Sequence, residues 1–186
     1  FIFRDMSEFP LNVYLLNRVA DFPKEKIMNL PENDYQILRL TDAFYNAYPN
    51  PPYKEILKKK QRAYNCLLLQ THYNYFICIP YRTEINHEYA FHFVNTARAK
   101  VHKSGLDYSK IVIIEKTNYI DTAGAIVDKD EFNETMINLE RIKKEALAFV
   151  EDYAEHVKGI RILHKREFYR RYAFSPLKYF HKELGI

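Results

Sequence analysis

Residues 64–80 read YNCLLLQTHYNYFICIP and contain two apolar runs of strand length, 64–70 and 75–80. The residues between them, at 72–74, are few and polar enough for a hairpin turn. Each run is almost continuously apolar instead of alternating, which is typical of strands that are buried on both faces. This stretch therefore predicts an antiparallel hairpin in the interior of the protein.

Segments on either side extend this sheet and surround it with helices. Residues 111–114 predict a third strand and residues 125–127 one more short strand. Apolar residues at helical spacing predict a short helix over 34–47, capped by Asp34, and a long helix over 129–158. The expected fold class is α+β, with a compact antiparallel sheet flanked by helices.

The long helix has the clearest signals. Asp128 and Glu131 have the spacing of a capping box, and Gly159 stands where a left-handed C-cap is expected. Apolar residues at 3.6-residue spacing predict one buried face. They are Phe132, Met136, Leu139, Ile142, Ala146, Phe149, Tyr153 and Val157.

The same patterns divide the chain into two parts. Residues 1–33 lack the basic region and the cleavage site of a signal peptide, and we expect an N-terminal extension that is peripheral to the fold. Residues 34–186 are predicted to form a single domain. Its last part, 160–186, is a tail in which basic and aromatic residues alternate.

Composition argues against several classes of protein. With only 4 glycines and no GxGxxG or GxxxxGK pattern, the chain lacks the usual phosphate-binding loops. No run approaches the roughly 18 uncharged apolar residues of a membrane span. Cys66 and Cys78 form no CxxC motif and lie in apolar strands, which predicts reduced cysteines and a cytoplasmic protein. The net charge of +4 is compatible with an anionic partner.

Neither a metal nor another cofactor is expected. The 7 histidines include no HExxH pair, and no cysteine lies near them in a zinc-like spacing. His87 and His92 could be metal ligands, but the ligand types that metal sites require argue against this interpretation. A GxSxG nucleophile motif is also absent from the sequence.

The most informative polar segment, IPYRTEINH at 79–87, follows the end of a buried strand. It contains four candidate catalytic side chains, Tyr81, Arg82, Thr83 and His87. The guanidinium of Arg82 matches a phosphate bidentately, and His87 is the group here that titrates near neutral pH. The alternative is a strand-end turn in which Arg82 forms a surface ion pair with Glu84 or Glu88.

A second segment, SGLDYSKIVII at 104–114, places Ser109 and Lys110 just before an apolar strand. The entrance of a buried strand holds its side chains in fixed positions, which suits groups that meet a ligand. The alternative is that Asp107 and Ser109 only form the turn and that Lys110 is solvated.

Basic residues also cluster outside these segments, and the family resemblance given below implies that they hold RNA. They are Lys58, Lys59, Lys60 and Arg62, and, in the tail, Arg166, Arg170 and Arg171. Cations neutralise phosphates, and neighbouring aromatic rings accept unstacked bases. The alternative for each cluster is a solvated face.

Several of these segments together resemble one family, the type III toxin–antitoxin toxins of the ToxN, AbiQ, CptN and TenpN group, and most of all its CptN and TenpN branches. The segments are LTDAFYNAYP, KKKQRAYNCLLL, YFICIPYRTEINHEYAF and SGLDYSKIVII, followed by the long helix. The resemblance extends from about Leu38 to about Gly159.

The resemblance implies a metal-independent endoribonuclease of the bacterial cytoplasm, with a strongly curved, barrel-like sheet core similar to the MazF and Kid toxins. Such toxins cut cellular or phage RNA, and an antitoxin of repeated RNA pseudoknots inhibits them in a protein–RNA complex. A role in phage defence is the expected biological setting.

Carried over residue by residue, the resemblance places Arg62 before the first core strand and Lys110 at the opening of a later one. Arg82 and Thr83 occupy a strand-end motif of active-site groups. Other members have Arg-Ser-His-Ile there, whereas this chain has Arg-Thr-Glu-Ile at 82–85, so the hydroxyl is kept and the histidine is replaced by Glu84.

The expected reaction is attack of a ribose 2′-OH on the adjacent phosphorus, which leaves a 2′,3′-cyclic phosphate and a 5′-hydroxyl. Arg82 and Lys110 would stabilise the charge on the phosphoryl oxygens, and Thr83 would position the phosphate. His87 is a candidate acid or base, and Tyr81 could stack on a base or donate to the phosphate. Two other functions stay open: a non-catalytic RNA-binding protein, and an enzyme that acts on a small phosphorylated substrate.

Overall fold

The structure, a computed structural model, describes residues 35–58, 65–70, 75–121 and 125–186. Its strands are β1 Tyr35–Leu40, β2 Asn65–Gln70, β3 Phe76–Arg82, β4 Ala90–His92, β5 Gly105–Asp107, β6 Val112–Ile114 and β7 Ile120–Asp121. Its α-helices are α1 Asp42–Ala47, α2 Lys129–Ile137, α3 Leu139–Val157 and α4 Lys165–Tyr172. Short 3₁₀ turns cover Tyr108–Lys110, Thr117–Tyr119 and Pro176–Tyr179. The extension over 1–33, the turn at 72–74, Lys59, Lys60 and Arg62 lie outside the described residues.

All strand pairs are antiparallel, so the expected α+β class is confirmed. The strand order is β4-β5-β3-β2-β1-β7, and β6 also pairs with β3. Strands β2 and β3 form the predicted hairpin, with Cys66 opposite Pro80 and Gln70 opposite Phe76. Among the described strands no pairing joins β4 to β7 and closes the sheet into a barrel.

Strand β3 lies in the interior of the sheet, and its residues 77–80 are buried in an unbroken run. Strands β6 and β5 pair successively with the same edge of β3, β6 near its start and β5 at its end. Between them the chain leaves the ladder as the turn Tyr108–Lys110, opposite the part of β3 that contains Pro80. Proline has no N–H to donate to a neighbouring strand, which is consistent with an interrupted ladder here.

The predicted helix over 34–47 is wrong in its first half, because residues 35–40 form β1. Leu38 and Leu40 are buried, whereas Arg39 between them is only half-buried, as expected for alternating faces of a strand. Helix α1 begins only after Thr41, whose hydroxyl oxygen accepts the Phe44 N–H at 3.4 Å. Pairing with β2 and β7 decides the conformation here over local helical spacing.

The predicted helix over 129–158 is two helices, because the helical conformation is interrupted at Asn138 between α2 and α3. The left-handed conformation of Gly159 is confirmed, with φ at 74°. Asp128 makes no cap bond with its side chain and pairs with Arg98 instead, so the predicted capping box is wrong.

The predicted apolar face is confirmed only in α3, where Ile142, Ala146, Phe149 and Tyr153 are buried. Phe132 and Val157 are exposed. In α2 the buried side chains include Glu134, whose carboxylate accepts the backbone N–H groups of Val94 and Asn95 at 2.8 and 3.0 Å. The two helices bury different faces because α2 binds a polar loop backbone and α3 packs on the core.

Two smaller expectations also fail. Residues 125–127 form no strand, although the Ala125 N–H donates to the Ile37 carbonyl oxygen at 3.1 Å. Cys78 is fully buried, as its apolar strand predicts, but it is disulfide-bonded and not reduced. Within the described ranges, no helix has both the length and the apolar character needed to cross a membrane.

The sequence contains 16 Tyr and 13 Phe, and many of these aromatic rings pack against one another. Phe44 packs against Tyr48 with ring centroids 4.9 Å apart, and Tyr48 in turn packs against Phe180 at 5.4 Å. On α3 and α4, Phe149 and Tyr172 are 4.7 Å apart. These rings belong to one hydrophobic core that joins the sheet to α3 and to the C-terminal turn.

Gly105 is required by the close approach of β4 and β5, and Gly105→Ala is expected to destabilise the fold by about 3 kcal/mol, at the upper end for overpacking. A Cβ at Gly105 would collide with the carbonyl oxygen of Phe91 and lie 3.1 Å from the Cα of His92. Urea unfolding at neutral pH measures the loss. Gly159→Ala is the control, because a Cβ there meets nothing within 4 Å and the cost is the left-handed backbone alone, about 1 kcal/mol. Equal losses in the two variants would contradict the packing argument.

Candidate active site

The end of β3 and the turn after β5 meet at one edge of the sheet. Arg82 lies opposite Gly105 in the β3–β5 pair, and β5 leads directly into the turn Tyr108–Lys110. This register brings Arg82 next to residues that are more than 20 positions away in the sequence. The site is therefore formed where the ladder along β3 is interrupted.

Asp107 organises this site. Its side chain is fully buried, and its Oδ1 accepts the Ser109 N–H at 2.9 Å and the Ser109 hydroxyl at 2.6 Å. Its Oδ2 forms an ion pair with Nη1 of Arg82. Burial by itself raises the pKa of Asp107, but hydrogen bonds from His87 and Ser109 and the charge of Arg82 outweigh it, so the pKa is lowered. The carboxylate is thus ionised at neutral pH.

His87 lies beside this carboxylate and stays accessible, with 34% of its side chain exposed. Its Nε2 is 3.3 Å from the Ser109 hydroxyl oxygen and 3.5 Å from Oδ1 of Asp107, and its ring stacks on Tyr89. In a nucleophilic triad the serine and the carboxylate contact opposite ring nitrogens. Here both are near Nε2, and the Ser109 hydroxyl donates to Asp107, so the geometry is not that of a serine nucleophile.

Lys110 reaches toward the C-terminal segment, where its Nζ donates to the carbonyl oxygen of Phe174 at 2.6 Å. Burial lowers the pKa of Lys110, and the charge of Arg82 acts in the same direction, against the opposing effect of Asp107. Lys110 is half-buried and ends the 3₁₀ turn that Asp107 caps, so its ammonium is within electrostatic range of the Asp107–Arg82 pair. The alternative of a solvated Lys110 is therefore not what the structure shows.

The alternative surface pairs of Arg82 are not formed either. Glu84 pairs with His102, at 2.6 Å between Oε1 and Nδ1, and Glu88 lies 3.9 Å from Arg170. The guanidinium of Arg82 instead uses Nη1 for the buried carboxylate of Asp107, with 29% of its side chain exposed. The guanidinium carries further N–H donors, and its partial exposure leaves the side chain accessible to a ligand.

Tyr81 and Thr83 do not join this group. The Tyr81 hydroxyl is 3.0 Å from the Thr135 hydroxyl oxygen, and its ring stacks on Phe93. Successive side chains on a strand point to opposite faces, so Tyr81 turns away where Arg82 turns toward the site. Thr83 is half-buried, and within the described residues it makes no side-chain hydrogen bond.

The basic residues of the tail divide into two groups. Arg170 lies next to the site, since its Nε donates to the Tyr89 hydroxyl at 2.9 Å, and Arg166 is exposed on the same helix. Arg171 is only 15% exposed and pairs with Asp152 at 2.9 Å. Arg171 is therefore largely packed against α3 and its neighbours, and its place on an RNA-holding surface stays a prediction.

The other predicted RNA-holding residues are the basic residues of the cluster at 58–62. Lys58 is half-buried, and burial lowers its pKa. The other members of that cluster are outside the described residues.

His87 and His92 are not a ligand pair, because Nε2 of His92 contacts the backbone oxygen of His87 at 2.8 Å. In the described part of the chain no three His, Cys, Asp or Glu side chains are grouped to hold a metal ion.

Sequence reasoning missed Asp107 as the centre of the site and assigned it to a turn. The Asp-x-Ser spacing does predict that turn, since the Asp107 side chain caps it. The spacing does not predict the ion pair between the second carboxylate oxygen of Asp107 and Arg82, which lies far away in the sequence. Phe174 was missed for the same reason, because it meets Lys110 only in the folded chain.

No protein-family model, no curated protein and no solved structure matches the chain.

Proposed function

We propose that this chain is a metal-independent endoribonuclease that cleaves RNA by attack of the 2′-OH on the adjacent phosphorus. The observation that carries the proposal is the grouping of Arg82, His87 and Lys110 around the buried carboxylate of Asp107. Two cations and an accessible imidazole at one place match what this reaction needs from protein side chains alone.

The cations act on the charge of the transition state. As the 2′ oxygen attacks, negative charge grows on the non-bridging phosphoryl oxygens, and donors already fixed in place stabilise it without reorganisation. Arg82 is fixed by Asp107, and Lys110 by the carbonyl oxygen of Phe174. Loss of one such donor typically lowers the rate by a hundredfold or more.

His87 supplies proton transfer. Its imidazole can accept the 2′-OH proton or donate a proton to the departing 5′ oxygen through Nε2, because Nδ1 is buried without a hydrogen-bond partner in the described part of the chain. Lys110 is a second candidate for proton transfer, because burial lowers the pKa of its ammonium and makes it a better proton donor than a solvated one. Asp107 touches no substrate in this scheme and acts as a positioning residue for Arg82 and His87.

The wider setting is part of the same proposal and is supported by the sequence resemblance. The chain would be a toxin of the bacterial cytoplasm that acts in phage defence and is inhibited by an antitoxin of RNA pseudoknots. The MazF- and Kid-like barrel core belongs to this proposal as well. Glu84 replaces the histidine of the family motif, and His87 is the histidine that lies beside Asp107 instead.

Incubation of the purified protein with end-labelled single-stranded RNA in EDTA is expected to give defined fragments with 5′-hydroxyl and 2′,3′-cyclic phosphate ends. His87→Gln is expected to lower the single-turnover rate by about a hundredfold or more, because general acid–base catalysis contributes at least that much. RNA affinity should stay within about twofold, since many cations share ground-state binding.

His102→Gln is the matched control, because His102 is exposed and pairs with the exposed Glu84. It should cleave like the wild type. Binding without fragments would favour the non-catalytic RNA-binding protein, and fragments that form only with added divalent metal would overturn the metal-independent mechanism. An unchanged rate in His87→Gln would remove His87 from the chemistry.

A further inference from the structure

Phe174 lies between α4 and the last 3₁₀ turn, with 68% of its side chain exposed. Single exposed apolar side chains are common on protein surfaces and need no explanation by themselves. Phe174 differs in its position, because its own carbonyl oxygen holds Nζ of Lys110 at 2.6 Å. The exposed ring therefore belongs to the same residue whose backbone oxygen binds the ammonium of Lys110, a group of the candidate active site.

The backbone that carries this ring is fixed on both sides. Before it, Tyr172 is buried and its hydroxyl donates to the Phe149 carbonyl oxygen at 2.8 Å. After it, Ser175 is buried, and its N–H donates to the Tyr172 carbonyl oxygen at 3.0 Å. Leu177 then enters the core. With the backbone held, only the two side-chain torsions of Phe174 have to be ordered when its ring contacts a ligand, which keeps the entropy cost of stacking small.

Charge around the ring indicates the class of ligand. Lys110 lies at its carbonyl oxygen, and Arg170 lies one helical turn before it. Lys178 follows one turn after it, paired with Glu55 at 2.8 Å. An ammonium on the backbone of an exposed aromatic residue, with the exposed Arg170 four residues before it, fits a ligand with phosphates and unstacked planar bases, which is single-stranded nucleic acid.

We propose that Phe174 stacks on the nucleobase of the nucleotide whose phosphate meets Lys110, and so makes the site prefer RNA that is unpaired at that position. The place of the RNA rests on the proposed function, whereas stacking itself is a property of binding. Duplex RNA has no free base face to offer, so the same contact excludes paired substrate.

Equilibrium binding of a fluorescent single-stranded oligoribonucleotide in EDTA tests the proposal. Phe174→Leu is expected to weaken binding by about 5- to 100-fold, the range for one base–aromatic stack, and Phe174→Tyr to stay within about threefold of the wild type. In a series of oligonucleotides with one abasic position each, the stacked position should be the one at which the wild type loses affinity and Phe174→Leu loses none.

Phe132→Leu is the matched control, because Phe132 is exposed on α2, and it should bind like the wild type. Wild-type affinity in Phe174→Leu, or a loss that is the same at every abasic position, would overturn the stacking role. RNA that binds with this dependence but is not cleaved would overturn the proposed function and leave stacking in place. If RNA is cleaved but Phe174→Leu does not change binding, the stacking role is overturned and the proposed function stands. If the wild type does not bind single-stranded RNA, both are overturned.

Discussion

Replacement of Asp107 by alanine is expected to lower the free energy of unfolding by about 3 to 5 kcal/mol, the range for removal of one partner from a buried ion pair. The substitution takes the counter-charge from Arg82 and the acceptor from the N–H and the hydroxyl of Ser109, at a side chain that is fully buried. Urea unfolding at pH 7, followed by circular dichroism, gives the value.

Glu88→Ala is the matched control. The Glu88 carboxylate is exposed and makes a long ion pair of 3.9 Å with the exposed Arg170, so its loss should change the free energy of unfolding by less than about 0.5 kcal/mol. A loss below about 1 kcal/mol in Asp107→Ala would mean that the carboxylate does not hold the site together. For the same reason Arg82→Ala is a poor probe of chemistry, since it leaves the buried carboxylate uncompensated, and Arg82→Lys is the better variant.

The contribution of Asp107 also depends on pH. Its pKa in the folded protein is below its ordinary value of about 3.9, so the carboxylate stabilises the fold above that value and this stabilisation is lost as the pH falls through the folded pKa. Unfolding experiments from pH 7 to pH 2.5 should show a weaker acid dependence in Asp107→Asn than in the wild type. Parallel curves would contradict the assignment.

Replacement of Lys110 by alanine is expected to lower the single-turnover rate of RNA cleavage by about a hundredfold or more. The reason is that Lys110, fixed on the Phe174 carbonyl oxygen and close to Arg82, stabilises charge that exists only in the transition state. Affinity for RNA should fall by about one phosphate contact, which lowers the logarithmic salt slope for a single strand by roughly 0.7.

Lys144→Ala, at an exposed lysine of α3, is the control and should retain the wild-type rate. Equal losses of rate and affinity in Lys110→Ala would make Lys110 a residue that only holds RNA. No loss in either would remove it from the site. Circular dichroism shows whether each variant is folded. If Lys110→Ala lost activity only because it had unfolded, the prediction would be overturned.

Local chemistry in the sequence determined the antiparallel pair of β2 and β3 and the buried character of β3, because consecutive apolar residues cannot all be buried on one face of a strand. It also determined the left-handed end after α3, since glycine adopts a positive φ without strain. The sequence prediction was wrong over 35–40. Apolar spacing there fits a helix, but the segment forms strand β1 because β2 and β7 provide backbone hydrogen-bond partners on both sides. Spacing records only what one segment prefers by itself.

The sequence also marked the two segments that meet at the site, 79–87 and 104–114, because each places polar groups at the end or the entrance of a buried strand. Which of those groups come together was decided by tertiary structure alone. Arg82 and Asp107 are 25 residues apart, and Lys110 and Phe174 are 64 apart. Their contacts depend on the register of β3 with β5, in which a shift of one residue would turn Arg82 to the opposite face, and on the packing of the C-terminal turn against the core.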